Sequence, residues 1–234
     1  MVILGIDSSA VSASAAIVKD GKLISEAFLN VGLTHSVTLM SLIKHSVEGA
    51  GISVSDLDAV AVTNGPGSFT GVRIGVATAK GIAQPEGKKC VPVSTLEAIA
   101  YPLIDTDCVA VSVMDARCNQ VYCALFRCEN GKMTRLTDDD AISLDVLCEI
   151  LKQYNENIIL IGDGTDISYK YLSDRIAGIR KASDIIKYQR ASSVAFIAAE
   201  RLLNNDNIKT PDKLVPSYLR LSQAERELKK KKEQ

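Results

Sequence analysis

One segment has the composition of a loop that cradles phosphates. TNGPGSFTGVRIGVATAKG, residues 63–81, holds five of the chain's 15 glycines together with a serine and a lysine. Backbone N–H groups at a helix start bind anions when small residues let the ligand approach. The spacing fails both familiar templates. Lys80 is preceded by Ala79 rather than by the glycine of a P-loop, and Gly65 and Gly67 are followed by Thr70 where a dinucleotide loop needs a third glycine. Gly71, Gly75 and Ala79 fall at i, i+4 and i+8, on one helical face. Each interior glycine costs a helix about 1 kcal/mol relative to alanine, so close approach of another backbone is the compensating gain to expect. Two readings stay open: a closely packed helix, and a phosphate contact at its amino terminus.

The other reactive side chains are sparse. Asp7 ends an apolar run and is followed by Ser8 and Ser9, and Asp115 ends a similar run. A strand-end acceptor is the plain reading of each carboxylate. His35 and His45 are ten apart and do not share a helix face. Cys118, Cys123 and Cys128 are five apart, without the tight pair that zinc sites use and without a nearby histidine. No G-x-S-x-G elbow and no cysteine–histidine neighbours are present, so no nucleophile–base pair is readable.

The elements that position these residues recur. The first half reads as strands at 2–7, 12–18 and 22–30, a helix at 36–50, a strand at 58–64 and a helix at 71–84. The second half reads as strands at 108–115 and 120–127, a helix at 143–154, a strand at 157–162, and helices at 166–173 and 191–204. Each half carries a hairpin turn, KDGK at 19–22 and ENGK at 129–132. Two βββαβα units imply an α/β fold of two similar lobes. That is the layout of the actin, Hsp70 and sugar-kinase architecture. The expected division is a first lobe at 1–104, a second and more variable lobe at 105–215, and a charged segment at 216–234.

With 47% hydrophobic residues and a net charge of −1, the chain has no global footprint for nucleic acid or membrane. MVILGIDSSA lacks a basic flank and its apolar run is short for a signal peptide, so the cytoplasm is the expected compartment. In a reducing cytosol the six cysteines are expected as free thiols.

GPGSFTGVRIGVATAKGIA, residues 65–83, resembles the signature of the TsaB (YeaZ) family, accessory subunits in the synthesis of N6-threonylcarbamoyladenosine in tRNA. GIDSS at 5–9, THS at 34–36, VSTLEAIA at 93–100, PSYLR at 216–220 and QAER at 223–226 extend the resemblance along most of the chain. Ser41 stands where the family often has proline. The resemblance implies a catalytic paralogue, TsaD, whose metal-binding H-x-x-x-H pair corresponds here to Thr95 and Ile99. It also implies that Asp7, Ser8 and Ser9 are a degenerate phosphate loop, because in complete members of the fold such an aspartate orients magnesium. Glu97 is expected in a salt bridge rather than as a base.

Function is therefore expected on a surface. The helix at 36–50 has a wide apolar face, with Leu39, Met40, Ile43 and Val47, and the next helix brings Gly71, Arg73, Gly75, Val76, Ala79 and Lys80. Together they are expected to form half of a helical bundle with TsaD, or with a second copy when TsaD is absent. TsaE, a small ATPase, is expected where the pair meets, and tRNA only through the complex. The chain is expected to have no catalytic residue, no metal and no cofactor of its own. ATP and magnesium belong to the partners, and any nucleotide bound here would be weak or interfacial. The lysines at 229–232 read as a solvated helix end. The rival functions are a small ATP-dependent kinase or ATPase of the same fold, and a metallopeptidase of the glycoprotease kind.

Overall fold

The computed structural model describes residues 1–116 and 120–220. In chain order the elements are β1 (Val2–Asp7), β2 (Ala13–Lys19), β3 (Lys22–Leu29), α1 (His35–Gly49), β4 (Ala59–Gly65), α2 (Phe69–Ala83), β5 (Lys89–Ser94) and α3 (Thr95–Ala100). The second half follows with β6 (Cys108–Asp115), β7 (Gln120–Glu129), β8 (Lys132–Arg135), β9 (Asp140–Ser143), α4 (Leu144–Leu151), β10 (Ile158–Ile161), α5 (Thr165–Leu172), β11 (Arg180–Lys181) and α6 (Ala191–Leu203).

The duplication read from the two turns is present in the strand order. One sheet runs β3-β2-β1-β4-β5 and the other β8-β7-β6-β10-β11, with β9 also paired to β7. Each sheet has an antiparallel hairpin beside parallel strands, β1 with β4 and β6 with β10. The turns have the backbone that Asp-Gly and Asn-Gly favour: Asp20, Gly21, Asn130 and Gly131 all have positive φ. β1 is buried along nearly its whole length because both faces are covered, which is why it reads as a continuous apolar run. Leu4 and Ile6 meet Leu39 and Ile43 of α1 and Val72 and Val76 of α2. Ile3, on the other face, meets Val194 and Ala198 of α6.

The division at Ile104 needs correction as a packing boundary. Helix α6, assigned by chain order to the second lobe, packs on the first sheet, against Ile3, Val18, Ala61 and Val91. Leu214 is also in the first core, and Lys209 bridges to Cys90 on the edge strand β5. In return α3 gives Leu96 and Ile99 to the second sheet, where they meet Ala110 and Phe126. Each half thus lends its last helix to the other. The inner face of each sheet offers an apolar surface that the facing half helps to cover.

β5 was not expected as a strand. Pro92 interrupts its donor row, which an edge strand tolerates. β8, β9 and β11 are four residues or fewer and too short to show a period.

Candidate functional site

The carboxyl ends of β1, β4, β6 and β10 meet at a cleft of about 670 Å3 between the sheets. Its walls include Ser9, Gly67, Ser68 and Thr70 on the first side and Met114, Asp115 and Asp163 on the second. The glycine segment is here, and close packing accounts for the glycines of α2. Ser8 Oγ donates to the Gly71 carbonyl at 2.9 Å, and Ser68 N–H donates to the Ser9 carbonyl at 2.7 Å. A Cβ on Gly71 would collide with the Ser8 carbonyl oxygen, and one on Gly75 would stand 2.6 Å from Ser8 Oγ and 3.3 Å from Val62 Cγ2. The small-residue face of α2 is a seat for the chain's own Asp7–Ser9 loop. Ser68 caps the helix, its Oγ accepting from Gly71 N–H at 3.2 Å.

Asp7 is fully buried and turned into that loop. Its Oδ1 accepts from Ser9 N–H at 3.2 Å and its Oδ2 from Ser9 Oγ at 3.0 Å. Burial raises its carboxyl above the usual range, against the hydrogen bonds that favour the charged form. Ser8 and Ser9 are buried with it. The side chain that does reach toward the cleft from the second sheet is Asp163, just after β10, which the sequence reading missed. Burial, with the charges of Asp115 and Asp7 adding to it, pushes its carboxyl up to about 6. Its Oδ1 is buried without a protein partner. The available signal was its place after an apolar strand, the same place that Asp7 and Asp115 hold.

Among the described residues no group of three or more His, Cys, Asp or Glu is arranged to hold a metal. Thr95 and Ile99 are buried in the core at α3. His35 Nε2 lies 2.6 Å from the Ala10 carbonyl while Nδ1 is buried without a partner, and His45 is exposed on the same helix. Glu97 is salt-bridged, with Arg201 NH2 at 2.6 Å and Arg135 NH2 at 3.8 Å. Five cysteines are described and all are buried free thiols, burial pushing Cys90 up to about 11. Cys118 and the lysine run lie outside the described residues.

The helix face expected to meet a partner needs correction residue by residue. Leu39, Ile43, Val47, Gly71, Gly75, Val76 and Ala79 are already buried within the chain, filling the space between α1, α2 and the first sheet. A helix stripe that faces its own sheet and one that faces a partner look alike in sequence. Of the ten expected residues, Met40 and Arg73 are exposed and Lys80 half-buried. Further exposed apolar side chains were not foreseen: Val37 at 70%, one turn from Met40 on α1, and Val31 at 62%, Val11 at 61% and Leu33 at 58%. Val11, Val31 and Leu33 line one shallow groove with Leu29, His35 and Thr38, where the β3–α1 loop meets the start of α1.

Comparison with known proteins gives this geometry a family. The family model described as TsaD, tRNA N6-adenosine threonylcarbamoyltransferase, matches residues 30–228. The tRNA threonylcarbamoyladenosine biosynthesis protein TsaB of Bacillus subtilis is 30% identical over 226 residues, 96% of each chain. The chain belongs to the TsaB family. TsaB of Escherichia coli is 29% identical over 70% of this chain and 72% of its own. A tRNA N6-adenosine threonylcarbamoyltransferase from Paramagnetospirillum magneticum is 33% identical over 60% of this chain, which is 46% of that protein. The solved structure of YeaZ from Pseudomonas aeruginosa superposes with a TM-score of 0.78 at 20% identity, over 93% of this chain and 99% of that one. Component A of (R)-2-hydroxyglutaryl-CoA dehydratase from Acidaminococcus fermentans has the same duplicated α/β fold at a TM-score of 0.52 and 14% identity, over 87% of this chain and 99% of that one. No helix among the described residues is long and apolar enough to cross a membrane.

Proposed function

We propose that this chain is a non-catalytic subunit that docks on TsaD and supports N6-threonylcarbamoylation of adenosine 37 in tRNA. The observation that carries the reading is the exposed apolar groove of Val11, Val31 and Leu33 beside the start of α1, with Val37 and Met40 exposed on that helix, in a chain of the TsaB family. Docking would remove these side chains from water, and burying apolar surface is the main drive for such association. Arg73 and Lys80 on the neighbouring helix would supply the charged rim. TsaE would join where the two subunits meet, tRNA would be held only by the complex, and the same face would pair two copies when TsaD is absent. The compartment is the cytoplasm, where tRNA is modified. The chain would supply no catalytic residue, metal or cofactor, and ATP and magnesium would act on the partner proteins. The loop of Asp7, Ser8 and Ser9 is consistent with this, because its polar atoms are spent on each other and on α2.

Sedimentation of the purified chain with TsaD from the same organism tests the docking face. The wild type forms a heterodimer, and the double substitution Val37→Asp with Met40→Asp weakens it by about a hundredfold or more, since both carboxylates would have to be desolvated. Unchanged affinity in a folded variant would move the interface elsewhere.

The second reading, an ATPase or kinase, has one observation in its favour: the cleft has a helix start on one side and Asp115 with Asp163 on the other. It requires Mg-ATP turnover by the isolated chain, lost in Asp163→Asn. No turnover over many hours would remove it.

A further inference from the structure

Residues 214–220 leave the first core and run along the cleft from one sheet to the other. Leu214 is 1% exposed and packed with α1 and α2. After it the chain is tied to the end of β4, where Ser217 N–H donates to the Asn64 carbonyl at 2.7 Å and Asn64 Nδ2 donates to the Val215 carbonyl at 3.2 Å. Tyr218 then stacks on Phe69 in the first turn of α2, ring centroids 4.3 Å apart and planes 23° from parallel. Arg73 Nε donates to the Tyr218 hydroxyl at 2.8 Å, and its guanidinium lies 3.9 Å from the Phe69 ring centre. Arg220 NH1 reaches the Ala116 carbonyl at 2.9 Å, just past the end of β6. One short segment therefore joins the first sheet to the second.

That segment is also a wall of the cleft, which Ser217, Tyr218, Leu219 and Arg220 line. Its hold is unlike that of the neighbouring walls. Past Leu214 it has no buried apolar anchor: Val215 is 61% exposed, Tyr218 42% and Leu219 36%. Exposed hydrogen bonds exchange for water at small net cost, and an open stack of two rings adds little more. Such a segment opens locally without the cores unfolding.

We infer that residues 215–220 are a gate, hinged at Leu214, that closes the cleft and clasps the two sheets together. Closed, it holds Tyr218 on Phe69 and Arg220 on Ala116. Open, it uncovers the cleft and frees Phe69 and Arg73 on α2. The inference does not depend on which protein the chain docks to, and its test uses the chain alone.

Ala10 lines the cleft and is 8% exposed. The variant Ala10→Cys, in a chain with Cys118→Ser, is treated with a negatively charged aromatic disulfide reagent, and the same chain with Ala10 intact gives the background from buried thiols. The gate predicts slow labelling in the full chain and roughly tenfold faster labelling when the chain stops at Val215, with a cooperative melt retained. Should the shortened chain fail to fold, Tyr218→Ala and Arg220→Ala in the full chain decide, each expected to speed labelling severalfold. Amide exchange gives an independent reading: Ser217 N–H should exchange at least about a hundredfold faster than Ile6 N–H in β1. Labelling that is unaffected by shortening or by both substitutions overturns the inference. So does a Ser217 amide that exchanges only with global unfolding.

Discussion

Asp163 should make this protein less stable as pH rises, and Asp163→Asn should remove that loss. Burial pushes its carboxyl up to about 6 in the folded chain, against 3.8 for an ordinary aspartate. The folded state therefore binds more protons than the unfolded chain between those two values. With the linkage slope proportional to protons bound unfolded minus folded, stability falls with pH across that window. The difference is 6 − 3.8 = 2.2 pH units, worth about 3 kcal/mol at 1.36 kcal/mol per unit. The penalty is absent below about pH 3.8 and complete above about pH 6. Asparagine has nearly the same shape, leaves no cavity, and can place its amide where Oδ1 now lacks a partner. Urea unfolding at pH 4, 5, 6 and 7.5 measures both proteins. The two should have nearly equal stability at pH 4, and the variant should be more stable by up to about 3 kcal/mol at pH 7.5. Asp7, whose carboxyl is also raised by burial, adds a fall of the same sign to both proteins, and carboxyls held low by hydrogen bonds, such as Asp56 and Asp166, add a rise, so the wild-type-minus-variant difference is what isolates Asp163. A variant no more stable than the wild type at pH 7.5, or a difference that does not change with pH, would show that the Asp163 carboxyl is not raised in the folded chain.

Gly75→Ala puts a Cβ 2.6 Å from Ser8 Oγ, and displacing that buried hydroxyl from its bond to the Gly71 carbonyl should cost about 1–3 kcal/mol in urea unfolding despite the better helix propensity of alanine. Leu39→Ala and Met40→Ala separate the core from the surface of one helix: the first should lose about 2–5 kcal/mol and the second less than about 0.5 kcal/mol, since Leu39 is 1% exposed and Met40 54%. Arg201→Ala removes a guanidinium that donates to both Glu97 and the Pro92 carbonyl. It should cost about 1–3 kcal/mol and lower the thermal midpoint by several degrees, with calorimetry as the check.

Much of the first half was legible because its signals are local and undivided. Apolar runs covered on both faces give β1 and β4, the Asp-Gly turn pairs β2 with β3, and α1 and α2 begin and end within two residues of the periodic pattern. The matching Asn-Gly turn then exposed the duplication. What could not be read depends on tertiary exchange. Nothing in the sequence of α6 says which sheet it covers, and nothing in the apolar stripe of α1 says that Leu39 meets its own sheet while Met40 does not. The glycines of α2 correctly signalled a close approach, but the partner proved to be Ser8, far away in sequence. Asp163 was overlooked because its interest comes from burial beside Asp7 and Asp115, which only the assembled fold creates. Val31 and Leu33 carry the exposed cluster from a loop, where apolar residues show no period at all.

If this chain supports another protein's chemistry, a reconstitution will show it: TsaD, TsaE, the enzyme that makes the threonylcarbamoyl-AMP donor, ATP and unmodified tRNA from the same organism, with and without this chain, scored for modified adenosine by mass spectrometry. Repeated turnovers are expected only when the chain is present, and should be lost with Val37→Asp and Met40→Asp. Equal turnover without the chain would mean that it is not the supporting subunit.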